Sequence, residues 1–169
     1  ENHGKYNEFI YTHQNNALYI NLFIPSVLKW KEKNITLQQE TNFPFEEETK
    51  IIITEGSGKA NLMIRYPAWV ADGECKVLVN GKPIPVTTHP SSYISVDKKW
   101  NKGDVIHVKL PMHHTTVQMP HVPQYIAFMH GPILLGAKTG SEDLKGIIAD
   151  DSRFGQYADG KKLPVSLSF

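Results

Sequence analysis

Apolar residues recur at every second position in short runs over most of this chain, which is the pattern of β-strands. The run ALYINLFI (17–24) predicts a strand with two apolar faces, aliphatic on one side and carrying Tyr19 and Phe23 on the other. No stretch keeps an apolar period of 3.6 residues, so no long helix is predicted. Further strands are expected at residues 34–40, 50–54, 60–66, 76–80, 93–96, 104–110, 124–131 and 132–137.

Turn-forming residues separate these runs and define the fold class. Asn80-Gly81 lies between two apolar runs and supplies the positive φ angles of a two-residue type I′ turn, which predicts a β-hairpin. Many short strands bounded by such turns are typical of sandwiches and barrels. We therefore predict an all-β protein built as an antiparallel, jelly-roll-like β-sandwich without a long helix.

The character of the sequence changes near residue 137. Beyond it the chain is rich in Gly, Asp and Lys, and its apolar residues are scattered. We therefore predict a β-sandwich domain over 1–137. Residues 138–169 are expected to be a linker or extension that leads into a following module, incomplete in this chain. Because the chain begins with Glu1 and not Met, we expect it to be a piece of a longer protein.

Composition excludes several classes of partner. The 169 residues include 18 basic and 17 acidic side chains, with no basic cluster, so nucleic acid is not an expected partner. No apolar run approaches the roughly 20 residues of a membrane span, so no membrane is expected. The single cysteine, Cys75, leaves no internal disulfide and no cluster of thiolate ligands within this chain.

Four histidines between residues 107 and 121 are the weak candidates for a metal site: His107, His113, His114 and His121. The alternation of residues 104–110 directs His107 outward, and the adjacent His113 and His114 leave an extended chain on opposite faces. Zinc usually requires three or four converging ligands. This pattern favours solvated or hydrogen-bonded histidines, and no metal is assigned to this chain. The metal site stays the alternative.

Two other groups of residues, the tryptophans and the carboxylates, are candidates for carbohydrate chemistry. Trp69 and Trp100 stand at predicted strand ends and are expected to close the core, with each indole N–H bonded to a carbonyl. Trp30, in LKWKEKN, is expected to be more exposed than these two and is the speculative sugar-contact residue, although packing against a neighbouring domain is the preferred interpretation. Paired carboxylates would have to face each other across a cleft. Nothing in the sequence pairs any two of Glu40, Glu46–Glu48, Glu55, Asp150 and Asp151.

Three ordered stretches resemble one family. They are ALYINLFIPSVLKW with ITLQQETNFP, LMIRYPAWV with VLVNGKPI, and YISVDKKWNKGDVIHVKLPM with YIAFMHGPILLGA. Together they resemble the region after the catalytic barrel in glycoside hydrolase family 127, the β-L-arabinofuranosidase-like proteins. The resemblance covers about residues 5–137, and DDSRFGQYADG fits a following segment.

The resemblance implies a parent protein whose active site lies in an upstream (α/α)₆ barrel. In that family a zinc-bound cysteine thiolate is the nucleophile, a glutamate is the acid/base, and a cysteine-rich cluster that includes an adjacent Cys-Cys pair holds the metal. None of these positions maps onto this chain, so it is assigned no catalytic residue and any zinc belongs to the absent barrel. The parent protein is therefore expected to be a glycoside hydrolase, whereas this fragment alone is expected to be inactive.

Two roles follow as expectations. The first is a non-catalytic accessory sandwich that supports its own upstream barrel, with one face of strand 17–24 against that neighbour. A fragment cut from the barrel would then expose an apolar patch. The second is a carbohydrate-binding module that uses exposed aromatics to hold plant-type glycan. A periplasmic or secreted location is favoured by analogy with plant-glycan degradation alone, and the compartment and the sugar are not fixed.

Overall fold

The computed structural model describes residues 5–136, which are almost entirely β-strand. A short helix, α1, precedes the strands, and one 3₁₀ turn (Lys31–Lys33) interrupts them. The bounds are α1 (Tyr6–Ile10), β1 (Tyr11–Gln14), β2 (Ala17–Ile20), β3 (Ser26–Trp30), β4 (Ile35–Glu40), β5 (Glu48–Tyr66), β6 (Lys76–Val79), β7 (Lys82–Ile84), β8 (Ser92–Asn101), β9 (Val105–Lys109), β10 (His114–Gln118), β11 (Ile126–His130) and β12 (Ile133–Leu135). The predicted all-β class without a long helix is confirmed. None of these described helices is long and apolar enough to cross a membrane.

The 19-residue strand β5 organises the nine-stranded sheet. Its first half pairs with β4 and β9, and its second half pairs with β2 and β8. Residues 50–54 and 60–66, predicted as two strands, are therefore one. Gly56 makes this possible: its φ is +81°, and a Cβ there would lie 1.8 Å from the Asn34 carbonyl oxygen. The pairing of β2 with β5 is parallel, and the other pairings in the described residues are antiparallel.

The predicted strand 17–24 is wrong beyond Ile20. Phe23, expected on the outer face, is buried in the core, and Ile24, expected inside, is exposed. The cause is Gln39, whose buried side-chain amide donates hydrogen bonds to the Leu22 and Ile24 carbonyls at 3.0 and 2.7 Å. These bonds take the place of a strand ladder, so the alternation changes after β2.

The core lies between the inward faces of the nine-stranded sheet, and its largest fully buried side chain is Trp100. The Trp100 indole N–H donates to the Ala60 carbonyl at 2.9 Å, as predicted for a tryptophan that closes a core. Trp69 is partly buried and stacks on Phe43 at 5.7 Å between ring centroids. Both tryptophans are thus structural.

The Asn80-Gly81 hairpin is confirmed. It connects β6 to β7, and the two turn residues have φ angles of +51° and +76°. The last three strands form a sheet of their own, in the order β10-β11-β12. Most of its apolar side chains are exposed, among them Ile126, Phe128 and Leu134. The predicted apolar patch on the outer face of strand 17–24 is therefore not the main exposed apolar surface, since more of the exposed large hydrophobic side chains lie on this small sheet. The predicted extension 138–169 lies outside the described residues.

Candidate functional site

The structure gives two of the four candidate histidines their own carboxylate partners. His107, on β9, has its Nε2 atom 2.8 Å from Glu48 Oε2, and both side chains are partly exposed. His113 has its Nε2 atom 2.5 Å from Glu74 Oε2. The hydrogen bond and the negative charge of Glu74 raise the pKa of His113. Each of these two histidines therefore contacts one carboxylate, and both pairs are partly exposed at the surface.

The other two histidines lie elsewhere. His114 faces His130 across the β10-β11 pair, with 4.7 Å between ring centroids, and His121 lies in the following loop at a φ of +65°. Nowhere in residues 5–136 do three or more His, Cys, Asp or Glu side chains come together as metal ligands. The structure therefore does not assemble the four histidines into one site.

Cys75 is suited neither to zinc nor to nucleophilic chemistry. Its side chain is buried in the core. Burial raises the pKa of the thiol to about 11, so the thiol is protonated at neutral pH. The zinc that the family resemblance implies therefore has no fitting ligand set among the residues that the structure describes, and these residues support no chemical step at a metal.

The expectation that Trp30 is exposed is wrong. Its side chain retains only 6% exposure and belongs to the core. Along β3 the inward positions are Leu28 and Trp30, whereas Lys29 points out, so the strand alternation overrides the charged neighbourhood that suggested exposure. Lys33 also lies over the indole, with its Nζ atom 5.9 Å from the ring centroid. A buried ring offers no free face for a sugar.

An outward aromatic face, not found by sequence analysis, lies on β2, β5 and β8. Tyr19 and Tyr93 meet edge to face there, with 5.1 Å between ring centroids. The Tyr93 hydroxyl donates to Asn21 Oδ1 at 2.7 Å, and Met63 and Arg65 lie on the same face of β5. Tyr19 was assigned to an outer face by the alternation, but its partner Tyr93 comes from 74 positions further along the chain and left no local signal.

A shallow depression lies beside the loop that joins β4 to β5. Its volume is about 210 Å³. Three carboxylates that the sequence did not pair line it, those of Glu40, Glu46 and Glu48, together with Lys50. Glu40 accepts a hydrogen bond from Gln38, and Glu48 contacts His107, so the depression is polar and predominantly acidic. Such a surface suits a cationic group.

A second polar cluster joins two turns at the edge of the core. The carboxylate of Asp104 accepts hydrogen bonds from the Asn80 side chain at 2.7 Å and the Asn101 backbone N–H at 2.9 Å. Lys98 Nζ lies 3.1 Å away. Burial alone would raise the pKa of Asp104, but the hydrogen bonds and Lys98 outweigh it, so the pKa is lowered. The cluster therefore connects the Asn80-Gly81 turn to the turn between β8 and β9.

Comparisons with known proteins agree with the fold. The family model for the β-L-arabinofuranosidase, GH127 middle domain, matches residues 17–112. A second model, for a domain of unknown function, matches residues 115–168, which include β11 and β12. The chain therefore belongs to glycoside hydrolase family 127. No match is found among curated protein sequences.

Three solved structures are similar to the chain. A glycoside hydrolase is 25% identical with a TM-score of 0.65, covering 73% of this chain and 22% of its own. The GH127 β-arabinofuranosidase BT3674 is 28% identical with a TM-score of 0.63, covering 74% and 23%. Ara127N-Se, a GH127 β-L-arabinofuranosidase from Geobacillus stearothermophilus T6, shares the fold at 22% identity with a TM-score of 0.65, covering 75% and 21%. The chain thus spans about a fifth of each of these chains.

Proposed function

We propose that this chain is a non-catalytic accessory domain of a family 127 glycoside hydrolase and that it packs against and supports an upstream (α/α)₆ catalytic barrel. The observation that carries the proposal is the match of residues 17–112 to the middle domain of that family, in a chain that spans about a fifth of its solved relatives. Zinc, the nucleophilic thiolate and the acid/base would all belong to the barrel. The β-L-arabinofuranosidase named in the matched family model and the β-arabinofuranosidase named for the 28% identical relative support an arabinofuranoside as the substrate of the parent protein.

The properties of Cys75 and the histidines support this division of labour. The thiol is buried and protonated at neutral pH, and each of His107 and His113 is paired with a surface carboxylate. A core with a fully buried tryptophan and an unbroken 19-residue strand is suited to mechanical support. Support of this kind acts on the stability of the partner domain and not on the chemical step.

Removing this domain from the parent protein tests the proposal. Two versions of the parent are compared, one complete and one without the residues that correspond to 5–136. We expect the shortened version to lose activity faster on warming, whereas KM for an aryl β-L-arabinofuranoside changes little at a temperature where both are folded. Equal half-lives on warming would contradict a supporting role. A complete loss of turnover in a demonstrably folded shortened enzyme would instead indicate a contribution to the active site.

Binding of glycan is the second candidate function, and the observation that favours it is the Tyr19–Tyr93 face. Aromatic rings beside polar groups are a common way to hold a sugar, and Arg65, exposed on β5 opposite Tyr93, supplies a guanidinium group here. Retardation of the chain in a gel that contains arabinan is the test, with Tyr19→Ala as the variant and Trp30→Phe as the control. Retardation that Tyr19→Ala abolishes would support binding at this face. Migration that arabinan leaves unchanged would exclude it.

A further inference from the structure

The loop between β4 and β5 presents the most exposed large hydrophobic side chain of the described residues. Phe45 is 90% exposed there. A single exposed apolar residue is ordinary on a protein surface. What distinguishes Phe45 is how firmly its loop is held and which charges surround it.

The loop is fixed by hydrogen bonds at both ends. The Phe45 N–H donates to the Asn42 carbonyl at 2.8 Å, and the Asn42 side chain donates to Glu46 Oε1 at 2.9 Å. The Thr41 hydroxyl accepts from the Phe43 N–H and donates to the Glu48 carbonyl. Because the backbone around Phe45 is already ordered, a partner that receives the ring would lose little affinity to ordering this loop.

Aromatic packing anchors the loop to the core. Phe43 stacks on Trp69 at 5.7 Å and meets buried Phe23 edge to face at the same distance. Within this loop Phe43 packs inward and anchors the loop, whereas Phe45 projects into solvent. Aromatic side chains are enriched at protein interfaces, so exposed Phe45, held by this anchored loop, is a candidate contact residue, which we call the binding knob.

The charges beside the knob select its partner. Glu40, Glu46 and Glu48 line the depression of about 210 Å³ next to the loop, and Lys50 is the one basic residue in its lining. A lysine or arginine side chain of a partner would fit this acidic depression while an apolar pocket receives Phe45. Complementary charge of this kind fixes register and disfavours other partners.

We propose that Phe45 and the acidic depression form the surface by which this domain docks on the catalytic barrel of the same parent protein, in an apolar pocket flanked by a basic side chain. The inference rests on the proposed function and adds the contact surface to it. A second copy of this chain is disfavoured because a symmetric contact through Phe45 would bring the two acidic depressions together. Glycan is disfavoured because the neighbouring ring, Phe43, is already stacked and leaves no second exposed aromatic face.

A photo-crosslinking experiment on the complete parent protein tests the surface. Phe45 is replaced by p-benzoylphenylalanine, which keeps an aromatic ring at the position, and Val27 is replaced in the same way as the control. Val27 is 60% exposed on β3 and lies outside the proposed surface. After irradiation we expect crosslinked peptides that join position 45 to a segment upstream of Glu1 in the same polypeptide, and none from position 27.

A second variant measures the contribution of the knob. Phe45→Ser in the parent should lower the thermal midpoint of the catalytic region by about 2–4 °C, since anchor residues of this kind dominate interfaces. The same substitution in the 169-residue chain should leave the midpoint unchanged because the ring touches little of its own domain. Val27→Ser should be neutral in both.

The outcomes separate this inference from the proposed function. If deletion of the domain shortens the half-life of the parent but position 45 gives no upstream crosslink, the supporting role stands and the proposed docking surface is wrong. Crosslinks between two polypeptides would show that the surface binds a second copy of the protein, and crosslinks onto added arabinan would show that it binds glycan. Either result would overturn docking on the barrel. A parent indifferent to both deletion and Phe45→Ser overturns the two proposals together.

Discussion

Replacing Asp104 by asparagine should destabilise the sandwich because it removes the charge that joins two turns. The wild-type carboxylate has three partners: the Asn80 side chain, the Asn101 backbone N–H and Lys98 Nζ. An asparagine oxygen can still accept from Asn80. Its amide nitrogen, however, is a donor and would face the Asn101 N–H, which is then left without an acceptor.

The magnitude follows from the two contacts that are lost. A hydrogen bond to a charged group contributes about 1.5–3 kcal/mol. The Lys98 pair is discounted to at most about 1 kcal/mol because the lysine side chain is 32% exposed and screened by solvent. Allowing for incomplete additivity, we expect the free energy of unfolding to fall by about 2 kcal/mol.

The effect should also depend on pH in a defined direction. The carboxyl pKa is lower in the folded chain than its usual value of 3.8, so the stabilisation by Asp104 is fully present above that value. It is lost as the pH falls from there through the folded pKa, because the wild-type side chain then becomes neutral as well. The difference between wild type and Asp104→Asn should therefore shrink at acid pH.

Urea unfolding followed by tryptophan fluorescence, at about pH 7 and at steps down to about pH 3, measures both quantities. Asp97→Asn is the matched control, since Asp97 is an exposed carboxylate on β8, the strand that carries Lys98. A loss below about 0.5 kcal/mol at neutral pH, or a loss that stays constant as the pH falls, would refute the proposed role of the charge.

Other predictions concern the core, the thiol and the small sheet. Trp100→Phe removes the hydrogen bond to Ala60 and leaves a buried carbonyl and a cavity, so the free energy of unfolding should fall by about 2–4 kcal/mol in the same urea assay; a change below about 1 kcal/mol would contradict the packing described for it. Cys75 should react with a disulfide reagent at neutral pH only as fast as the chain unfolds, and immediate reaction in the native state would contradict its burial. The chain should self-associate at high concentration through the apolar side chains of β11 and β12, and Phe128→Ser should lower the weight-average mass in sedimentation; an unchanged mass would assign the association to another surface.

Local pattern predicted much of the fold because alternation and turn chemistry act over a few residues. Residues 104–110 follow the expected period, and Asn80-Gly81 forms the expected hairpin. Residues 50–66 were divided because Gly56 and Gly58 resemble strand breakers, whereas in the fold they admit close approach of the Asn34 and Lys33 carbonyls to a continuous strand. The strand β3 was missed because Lys29 and the charged residues that follow Trp30 obscured the alternation that buries Trp30.

The candidate surfaces were less predictable because they are assembled from distant segments. Tyr19 meets Tyr93 only through the pairing of β2 and β8 with opposite edges of β5. The position of Phe45 depends on the stacking of Phe43 with Trp69, a contact that no local pattern encodes. The side chain of Gln39 determines where β2 ends by capping two carbonyls. Each of these is a tertiary effect acting on a locally ambiguous segment.

The central claim is that this domain supports catalysis without performing it. The most direct measurement is the specific activity of the purified 169-residue chain and of the complete parent, side by side, on an aryl β-L-arabinofuranoside with added zinc. The account predicts turnover by the parent and none above the buffer rate by the chain. Hydrolysis that co-purifies with the chain and increases in proportion to its concentration would contradict it.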